Sequence, residues 1–133
     1  MTDLVLVDTN VILDVTDADA AWLDWSSAQM SSLAFRLVIN PLIYTELCYH
    51  VGALGEVEAT VRSLGLAYHE LPRESLFLTA QAFKSYRQRG GTKTAPLADF
   101  FIGAHAEAAN FAILTRDTAR YETYFPNVPL ISP

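Results

Sequence analysis

Short apolar runs alternate along this chain with longer segments of helical periodicity, and this alternation limits the fold more than any other feature. The runs predicted to be strands cover residues 4–7, 35–39, 67–71, 111–114 and 128–131. The predicted helices cover 11–14, 22–30, 42–50, 56–64, a long stretch from Pro72 to near Gly90, and 94–109. Such alternation predicts an α/β fold, in which helices cover both faces of a mostly parallel sheet. The 133 residues contain no repeat, low-complexity segment or linker, so we predict a single domain over residues 1–133.

The composition predicts a full hydrophobic core and a cytoplasmic location. Apolar residues make up 51% of the chain, which is high for a soluble monomer and leaves room for a surface that a partner covers. We expect no signal peptide, because Asp3 stands where a basic segment would be needed. Two acids and a histidine interrupt the most apolar later stretch, 95–114, so we expect no membrane span. The single cysteine, Cys48, fits a reducing cytosol.

Charge is unevenly distributed along the chain, whose formal net charge is −6 at pH 7. This net charge argues against bulk attraction to nucleic acid. No basic residue precedes Arg36, whereas six basic and only three acidic residues lie between 84 and 120. A local basic rim is compatible with a phosphate-bearing substrate. A solvated helix end explains the part from Lys84 to Arg89 equally well.

Four carboxylates occupy positions from which they can meet at one edge of the predicted sheet. Asp8 directly follows the first predicted strand, and Asp117 closely follows the fourth. Glu46 lies near the start of the helix after the second strand, and Asp99 near the start of the helix before the fourth. The carboxyl ends of parallel strands form the crevice in which open α/β sheets bind ligands, so these acids are candidate site residues.

The same four acids predict a metal site. Carboxylates that lie together raise one another's pKa values, and a divalent cation is the usual compensation. An all-oxygen site suits Mg²⁺ or Mn²⁺, which can activate water against a phosphodiester. The alternative is a set of helix caps and first-turn acids, which accounts for Asp8, Asp99 and Asp117. It accounts poorly for Glu46, because a carboxylate on an apolar helix face needs a partner.

The segments that carry these acids resemble the motifs of a known family. They read Val7-Asp8-Thr9-Asn10, Thr45-Glu46-Leu47, Leu97-Ala98-Asp99-Phe100-Phe101-Ile102 and Leu114-Thr115-Arg116-Asp117. In this order they resemble the four motifs of PIN-domain ribonucleases. The length of the chain and the order of the motifs resemble the VapC toxins of bacterial toxin–antitoxin pairs.

This resemblance implies a fold, an activity and a set of partners. The fold is a PIN-like three-layer α/β/α arrangement with a mostly parallel sheet of about five strands. The activity is that of a metal-dependent endoribonuclease, the toxin of a type II toxin–antitoxin system, which hydrolyses phosphodiester bonds in RNA. Asp8, Glu46, Asp99 and Asp117 are the implied ligands of Mg²⁺, or of Mn²⁺, with hydrogen bonds from the neighbouring side chains of Thr9, Asn10 and Thr115. A homodimer and a small cognate antitoxin are the implied partners.

Residues outside the four motifs carry weaker expectations. Lys93 and Thr94 precede the helix that bears Asp99, so either could touch a substrate phosphate, although a plain loop is an equally good interpretation. Arg116 is a third candidate for such a contact. The acids of the early acidic stretch are predicted to form a solvated surface, with only Asp14 near enough to Asp8 to border the site. The stretch comprises Asp14, Asp17, Asp19 and Asp24.

Apolar residues of the early helices are candidates for an antitoxin groove. They are Trp22, Trp25, Leu42, Tyr44 and Tyr49. Several of them could accept an amphipathic helix, although for any one residue a place in the core is the favoured interpretation. We also expect an arginine of the partner to occupy the acidic crevice.

Two other functions compete with a ribonuclease. Phosphate-monoester hydrolysis with Asp8 as a covalent nucleophile would need a second Asp two residues later, where this chain has Asn10. A PIN-like binding or regulatory module would have no need of a repulsive carboxylate cluster. The histidines, His50, His69 and His105, are scattered and are predicted to be structural or surface residues.

Overall fold

The computed structural model describes residues 3–133 and contains a five-stranded sheet. The strands are β1 (Val5–Val7), β2 (Leu37–Ile39), β3 (Ala67–Tyr68), β4 (Ala112–Leu114) and β5 (Leu130–Ile131). Their order across the sheet is β3-β2-β1-β4-β5, and every neighbouring pair is parallel. The predicted α/β class and parallel sheet are therefore confirmed.

Seven helices connect these strands within the described residues. They are α1 (Thr9–Thr16), α2 (Leu23–Ser32), α3 (Pro41–Val51), α4 (Leu54–Ser63), α5 (Arg73–Gln88), α6 (Ala98–Ala109) and α7 (Ala119–Tyr124). The first six lie on segments that were predicted to be helical, whereas α7 was not predicted. Across residues 3–133, none of the helices combines the length and apolar character that crossing a membrane requires.

Two predicted boundaries are wrong for local steric reasons. The second strand starts at Leu37, because Phe35 adopts a left-handed conformation with φ of 69° and is 97% exposed. Helix α6 starts at Ala98 rather than near Thr94. Pro96 disfavours helical backbone at the residue before it, Ala95, and the N-cap Leu97 is still extended.

The path of the chain brings β1 and β4 together at the centre of the sheet. From β1 the chain moves outward to β2 and β3, then returns through α5 and α6 to β4 on the other side of β1. Right-handed crossovers in these two directions place helices on both faces of the sheet. The strand order therefore reverses between β1 and β4, which is where open parallel sheets bind ligands.

The central strands form the middle of the hydrophobic core. Every residue of β1 and β2 is buried, as expected for parallel strands that helices cover on both faces. Burial of each such aliphatic side chain contributes about 1.5–3 kcal/mol. Helix α6 approaches the C-terminal region closely at Gly103, where an added Cβ would overlap the ring of Phe125. This close approach brings α6 and α7 to the same edge of the sheet.

A neutral histidine is built into the core beneath this edge. His105 on α6 is buried, and its Nδ1 lies 3.2 Å from Nδ2 of Asn40. The amide oxygen of Asn40 accepts two backbone N–H groups at the start of α3. The amide nitrogen of Asn40 therefore faces the imidazole and donates to Nδ1 of His105, which must be unprotonated to accept. Burial, with a smaller effect from His69, lowers the pKa of His105 to about 4.

We expect the protein to lose stability as the pH falls from about 6.5 toward 4, because unfolded His105 then binds a proton that the folded state excludes. At His105 the unfolded state binds more protons in this range, so this residue makes the free energy of unfolding rise with pH, by up to about 3 kcal/mol. Urea denaturation at several pH values measures this slope. A His105→Gln variant should lose most of it, and an unchanged slope in that variant would contradict the assignment.

Candidate active site

Asp8 joins the end of β1 to the start of α1 and lies beside β4. Its backbone N–H donates to the carbonyl of Leu114 at 2.9 Å, which continues the contact between β1 and β4 beyond the strands. Its Oδ1 accepts the N–H of Thr9 at 2.9 Å, so Asp8 is the N-cap of α1. Helix α1 therefore starts at Thr9, two residues before the predicted start at residue 11.

Three donors hold the Asp8 carboxylate in place. Besides the N–H of Thr9 on Oδ1, the Thr115 hydroxyl donates to Oδ2 at 2.9 Å and the Tyr121 hydroxyl donates to Oδ2 at 3.0 Å. Oδ1, with one donor, keeps capacity for another group. Burial raises the pKa of Asp8, the three hydrogen bonds oppose this rise, and the nearby charge of Asp99 adds to it. Asp8 is thus a buried acid, and its three hydrogen bonds stabilise the ionised form.

Glu46 enters the site from α3. This helix begins directly after β2, with Asn40 as its N-cap and Pro41 in its first turn. Glu46 is half-buried, and its Oε1 accepts a hydrogen bond of 2.8 Å from the hydroxyl of Thr9. This bond supplies the partner that the sequence predicted Glu46 to need.

Asp99 lies in the first turn of α6 and faces α7. Its Oδ2 lies 3.3 Å from Nε of Arg120, and both side chains are partly exposed. Burial raises the pKa of Asp99, the charge of Arg120 lowers it, and the charge of Asp117 raises it again. Arg120 therefore offsets part of the repulsion among the acids.

Asp117 follows β4 in a loop that is tied to α1. Its N–H donates to the Thr115 hydroxyl at 3.0 Å, and the same oxygen lies 3.4 Å from Nδ2 of Asn10. The N–H of Arg116 donates to Oδ1 of Asn10 at 3.3 Å. The hydrogen bonds of Asn10 and Thr115 thus attach the loop that bears Asp117 to α1.

The four predicted acids line one cavity of about 250 Å³. Its walls are Asp8, Thr9, Asn10, Leu13, Glu46, His50, Asp99, Asp117 and Tyr121. Among residues 3–133, no three His, Cys, Asp or Glu side chains are already arranged as a metal-binding group. The donor set nevertheless fits Mg²⁺, because carboxylate oxygens are the ligands that this hard ion takes, with waters completing its coordination.

One acid that was predicted to be solvated is buried instead. Asp14 is 3% exposed and accepts hydrogen bonds from Ser26 at 2.7 Å and from Arg116 at 2.7 and 2.9 Å. The Arg116 guanidinium also lies 4.9 Å from the ring centroid of Trp22. The surface prediction is therefore wrong for Asp14, because its partners come from α2 and from the loop after β4. It holds for Asp17 and Asp24, which are exposed.

The three candidate substrate contacts lie outside the walls of the cavity. Arg116 is bound to Asp14, so its contacts are those of a structural residue. Lys93 and Thr94 are exposed in the loop before α6. The Lys93 carbonyl accepts a hydrogen bond from Arg87 at 2.8 Å, which attaches this loop to the end of α5. A contact of Lys93, Thr94 or Arg116 with substrate stays a prediction.

Sequence reasoning missed three residues around the acids: Arg120, Tyr121 and His50. The first two belong to α7, whose signal was present as apolar residues at Tyr121, Tyr124 and Phe125, spaced for one face of a helix. His50 lies four residues after Glu46 on α3, hence on the same helical face.

Tyr121→Phe is expected to lower the activity of the site about tenfold near neutral pH, because a hydrogen bond to a charged group is worth about 1.5–3 kcal/mol. Loss of this donor raises the pKa of Asp8, so the acidic limb of the pH–rate profile should move to higher pH. Tyr68→Phe, on the distant strand β3, serves as the control. An unshifted profile for Tyr121→Phe would contradict the role of Tyr121 in holding Asp8.

The family of the chain follows from comparison with known proteins. The family model for the PIN domain matches residues 5–126, so this chain belongs to the PIN-domain family. No curated protein sequence matches the chain.

Solved structures with the same fold include toxin–antitoxin proteins. VapBC2 from Rickettsia felis, bound to a DNA fragment from its promoter, aligns with a TM-score of 0.75 at 18% identity over 97% of this chain and 98% of that chain. DNA-bound VapBC from Salmonella typhimurium aligns with a TM-score of 0.75 at 17% identity over 99% and 98%. VapC20 from Mycobacterium tuberculosis, a Sarcin-Ricin loop cleaving toxin, aligns with a TM-score of 0.62 at 14% identity over 90% and 94%. At these identities the likeness shows a shared fold over nearly the whole chain.

Proposed function

We propose that this chain is a metal-dependent endoribonuclease and the toxin of a VapBC-type toxin–antitoxin pair. The observation that carries the proposal is the convergence of Asp8, Glu46, Asp99 and Asp117 on one cavity where the strand order reverses. Membership of the PIN-domain family supports it, as does the fold shared with VapBC toxins. The cytoplasm is the proposed location, which agrees with a single free cysteine.

The four carboxylates would hold Mg²⁺ or Mn²⁺ within this cavity. When bound, such an ion supplies an activated water and stabilises the leaving oxygen of a phosphodiester. The raised pKa values of Asp8 and Asp99 support this assignment. Burial and the charges of neighbouring acids raise them, and a bound cation would offset both effects. All four acids offer the hard oxygen donors that these ions prefer.

The surrounding residues orient the acids for this task. Thr115 and Tyr121 keep the Asp8 carboxylate in one rotamer, and Thr9 does the same for Glu46. Arg120 offers a positive charge at the edge of the cavity, where a substrate phosphate would enter. Rigid placement of this kind is what lets a site act without reorganisation during the reaction.

A small antitoxin would restrain this activity by covering the cavity. Tyr49 is 84% exposed and packs edge-on against His50, which lines the cavity, so an apolar surface begins at its rim. An arginine from the antitoxin would form charge-assisted hydrogen bonds with the acids. Further exposed apolar residues, Leu76 and Phe77 on α5, support a second protein contact, which we assign to a homodimer.

A PIN-like binding module without nuclease activity is the second candidate. The observation in its favour is that, within residues 3–133, the acids are not already gathered into a three-ligand group. Such a module would bind its partner equally well after Asp8→Asn, whereas a nuclease would lose its activity. The two functions therefore differ in their response to one substitution.

Expression of the wild-type chain alone is expected to arrest bacterial growth, and expression of the Asp8→Asn variant is not. Co-expression with the adjacent small gene should relieve the arrest and yield a complex. Sequencing of RNA ends after induction identifies the cleaved RNA, with Asp8→Asn as the matched control. Equal growth with both chains, together with identical RNA ends, would contradict the toxin proposal.

A further inference from the structure

A groove leads away from the carboxylate cavity across α7 to the end of α5. The cavity shares Asp99 and Asp117 with a neighbouring depression of about 330 Å³. That depression shares Thr123 and Tyr124 with a third one of about 280 Å³, which ends at Arg89. The three hollows therefore adjoin one another through shared walls, and the first of them is the site of the proposed reaction.

Arg120, Arg89 and Tyr124 line this groove, and both arginines rest on aromatic rings. The Arg120 guanidinium lies 5.3 Å from the ring centroid of Tyr86 and 5.5 Å from that of Phe100. The Arg89 guanidinium lies 5.3 Å from the ring centroid of Tyr124. Tyr124 in turn packs edge-on against Tyr86 and Phe100, which fixes both arginines on one aromatic cluster.

The two arginines suit a polyanion that begins at the carboxylate cavity and extends along the groove toward Arg89. Arg120 is 33% exposed in its side chain, and Arg89 is exposed. The pair between Arg120 and Asp99 is only partly buried, so exchanging Asp99 for a phosphate costs little. The charged residues that line the far hollow are one acid, Glu107, and one base, Arg89, so their formal charges balance.

The combination of guanidinium planes and aromatic rings favours single-stranded nucleic acid over a duplex. Unpaired bases stack on aromatic rings and on arginine planes, whereas a duplex offers mainly its phosphates. Two arginines that are stacked on rings beside a hydrolytic site suit a nucleic-acid substrate better than a protein partner. The chemistry therefore points to the strand that the site would cut.

We propose that this groove, from Asp117 past Arg120 and Tyr124 to Arg89, binds the single-stranded RNA segment next to the cleaved phosphodiester. Arg120 contacts the phosphate adjacent to the cavity, Arg89 contacts a phosphate further along, and the intervening bases stack on the arginine and tyrosine planes. This inference rests on the proposed ribonuclease function and adds the direction in which the substrate lies.

The test measures binding of a short fluorescein-labelled single-stranded RNA to the Asp8→Asn protein over a range of salt concentrations. Each phosphate contact on a single strand contributes about 0.7 to the slope of log K against log salt. Arg89→Gln and Arg120→Gln should each lower this slope by about 0.7, and the double variant by about 1.4. Arg89→Lys should keep the slope and weaken binding a few-fold, because lysine keeps the charge but not the plane.

Arg73→Gln is the matched control, since Arg73 is an exposed arginine at the other end of α5 and lines none of the three hollows. Thermal melting verifies that each variant is folded. Unchanged slopes for Arg89→Gln and Arg120→Gln, in a protein whose wild type cleaves RNA, would overturn the groove and leave the ribonuclease standing. Equal affinity for the RNA duplex would overturn the single-strand assignment. A wild type that neither binds nor cleaves RNA would overturn both proposals.

Discussion

Asp99→Asn is expected to lower the rate of RNA cleavage by about a thousandfold with the fold intact. The amide keeps the shape of the carboxylate but loses the charge that would bind a divalent cation. Asp99 stands in the first turn of α6, and its side chain forms a partly exposed ion pair with Arg120, so the substitution removes a weak contact. Asp8→Asn and Glu46→Gln should show losses of the same order. Initial rates on labelled RNA in Mg²⁺, Mn²⁺ or EDTA measure the effect.

The specificity of this result depends on a matched acid outside the site. Asp24 lies exposed in the first turn of α2, so Asp24→Asn makes the same chemical change at a corresponding helix position. We expect this variant to cleave at the wild-type rate. Undiminished cleavage in EDTA would rule out the metal mechanism, and a wild-type rate for Asp99→Asn in Mg²⁺ would rule out ligation by that residue.

Asp14→Ala is expected to lower the free energy of unfolding by about 3–5 kcal/mol, although Asp14 touches none of the four acids. Asp14 accepts hydrogen bonds from Ser26 and Arg116 in a buried position. Its removal takes away the hydrogen-bonded partner of the Arg116 guanidinium that rests against Trp22, and the loss of a buried partner costs far more than that of a surface ion pair. Urea denaturation at neutral pH measures the change.

Two comparisons separate this effect from a general loss of charge. Asp17→Ala, at the exposed end of the same helix, should change the free energy of unfolding by no more than about 0.5 kcal/mol. An Asp14→Leu, Arg116→Met double variant should recover much of the loss, because it removes both charges together. A loss below about 1 kcal/mol for Asp14→Ala would mean that water replaces its hydrogen bonds.

The elements that sequence reasoning located best are those whose signal is local. The run Leu4 to Val7 is apolar throughout, and the residues of β1 are buried as such a run predicts. The last long helix was predicted to end at residue 109, and α6 ends there, with Asn110 as its left-handed cap at φ of 58°. In both cases the information lies within a few neighbouring residues, so the pattern was sufficient.

Contacts between distant parts of the chain could not be predicted in this way. Tyr121 lies 113 positions after Asp8, and Arg116 lies 102 positions after Asp14, so no local period relates them. Helix α7 is only six residues long, which leaves little helical pattern to detect. Phe35 shows a different error. This apolar residue was predicted to belong to the second strand, but it adopts a left-handed conformation and is exposed.

By itself, the sequence determined which acids stand at strand ends and helix starts. Asp8 and Asp117 follow apolar strands, and parallel strands present their carboxyl ends at one edge of a sheet. Only the tertiary structure decided which side chains serve those acids, and that Asp14 is buried while Asp17 is not. The physical reason is that a hydrogen bond or an ion pair depends on the approach of two side chains. That approach follows from how α2 packs against α1, how α7 packs against α6, and how the loop after β4 contacts α1.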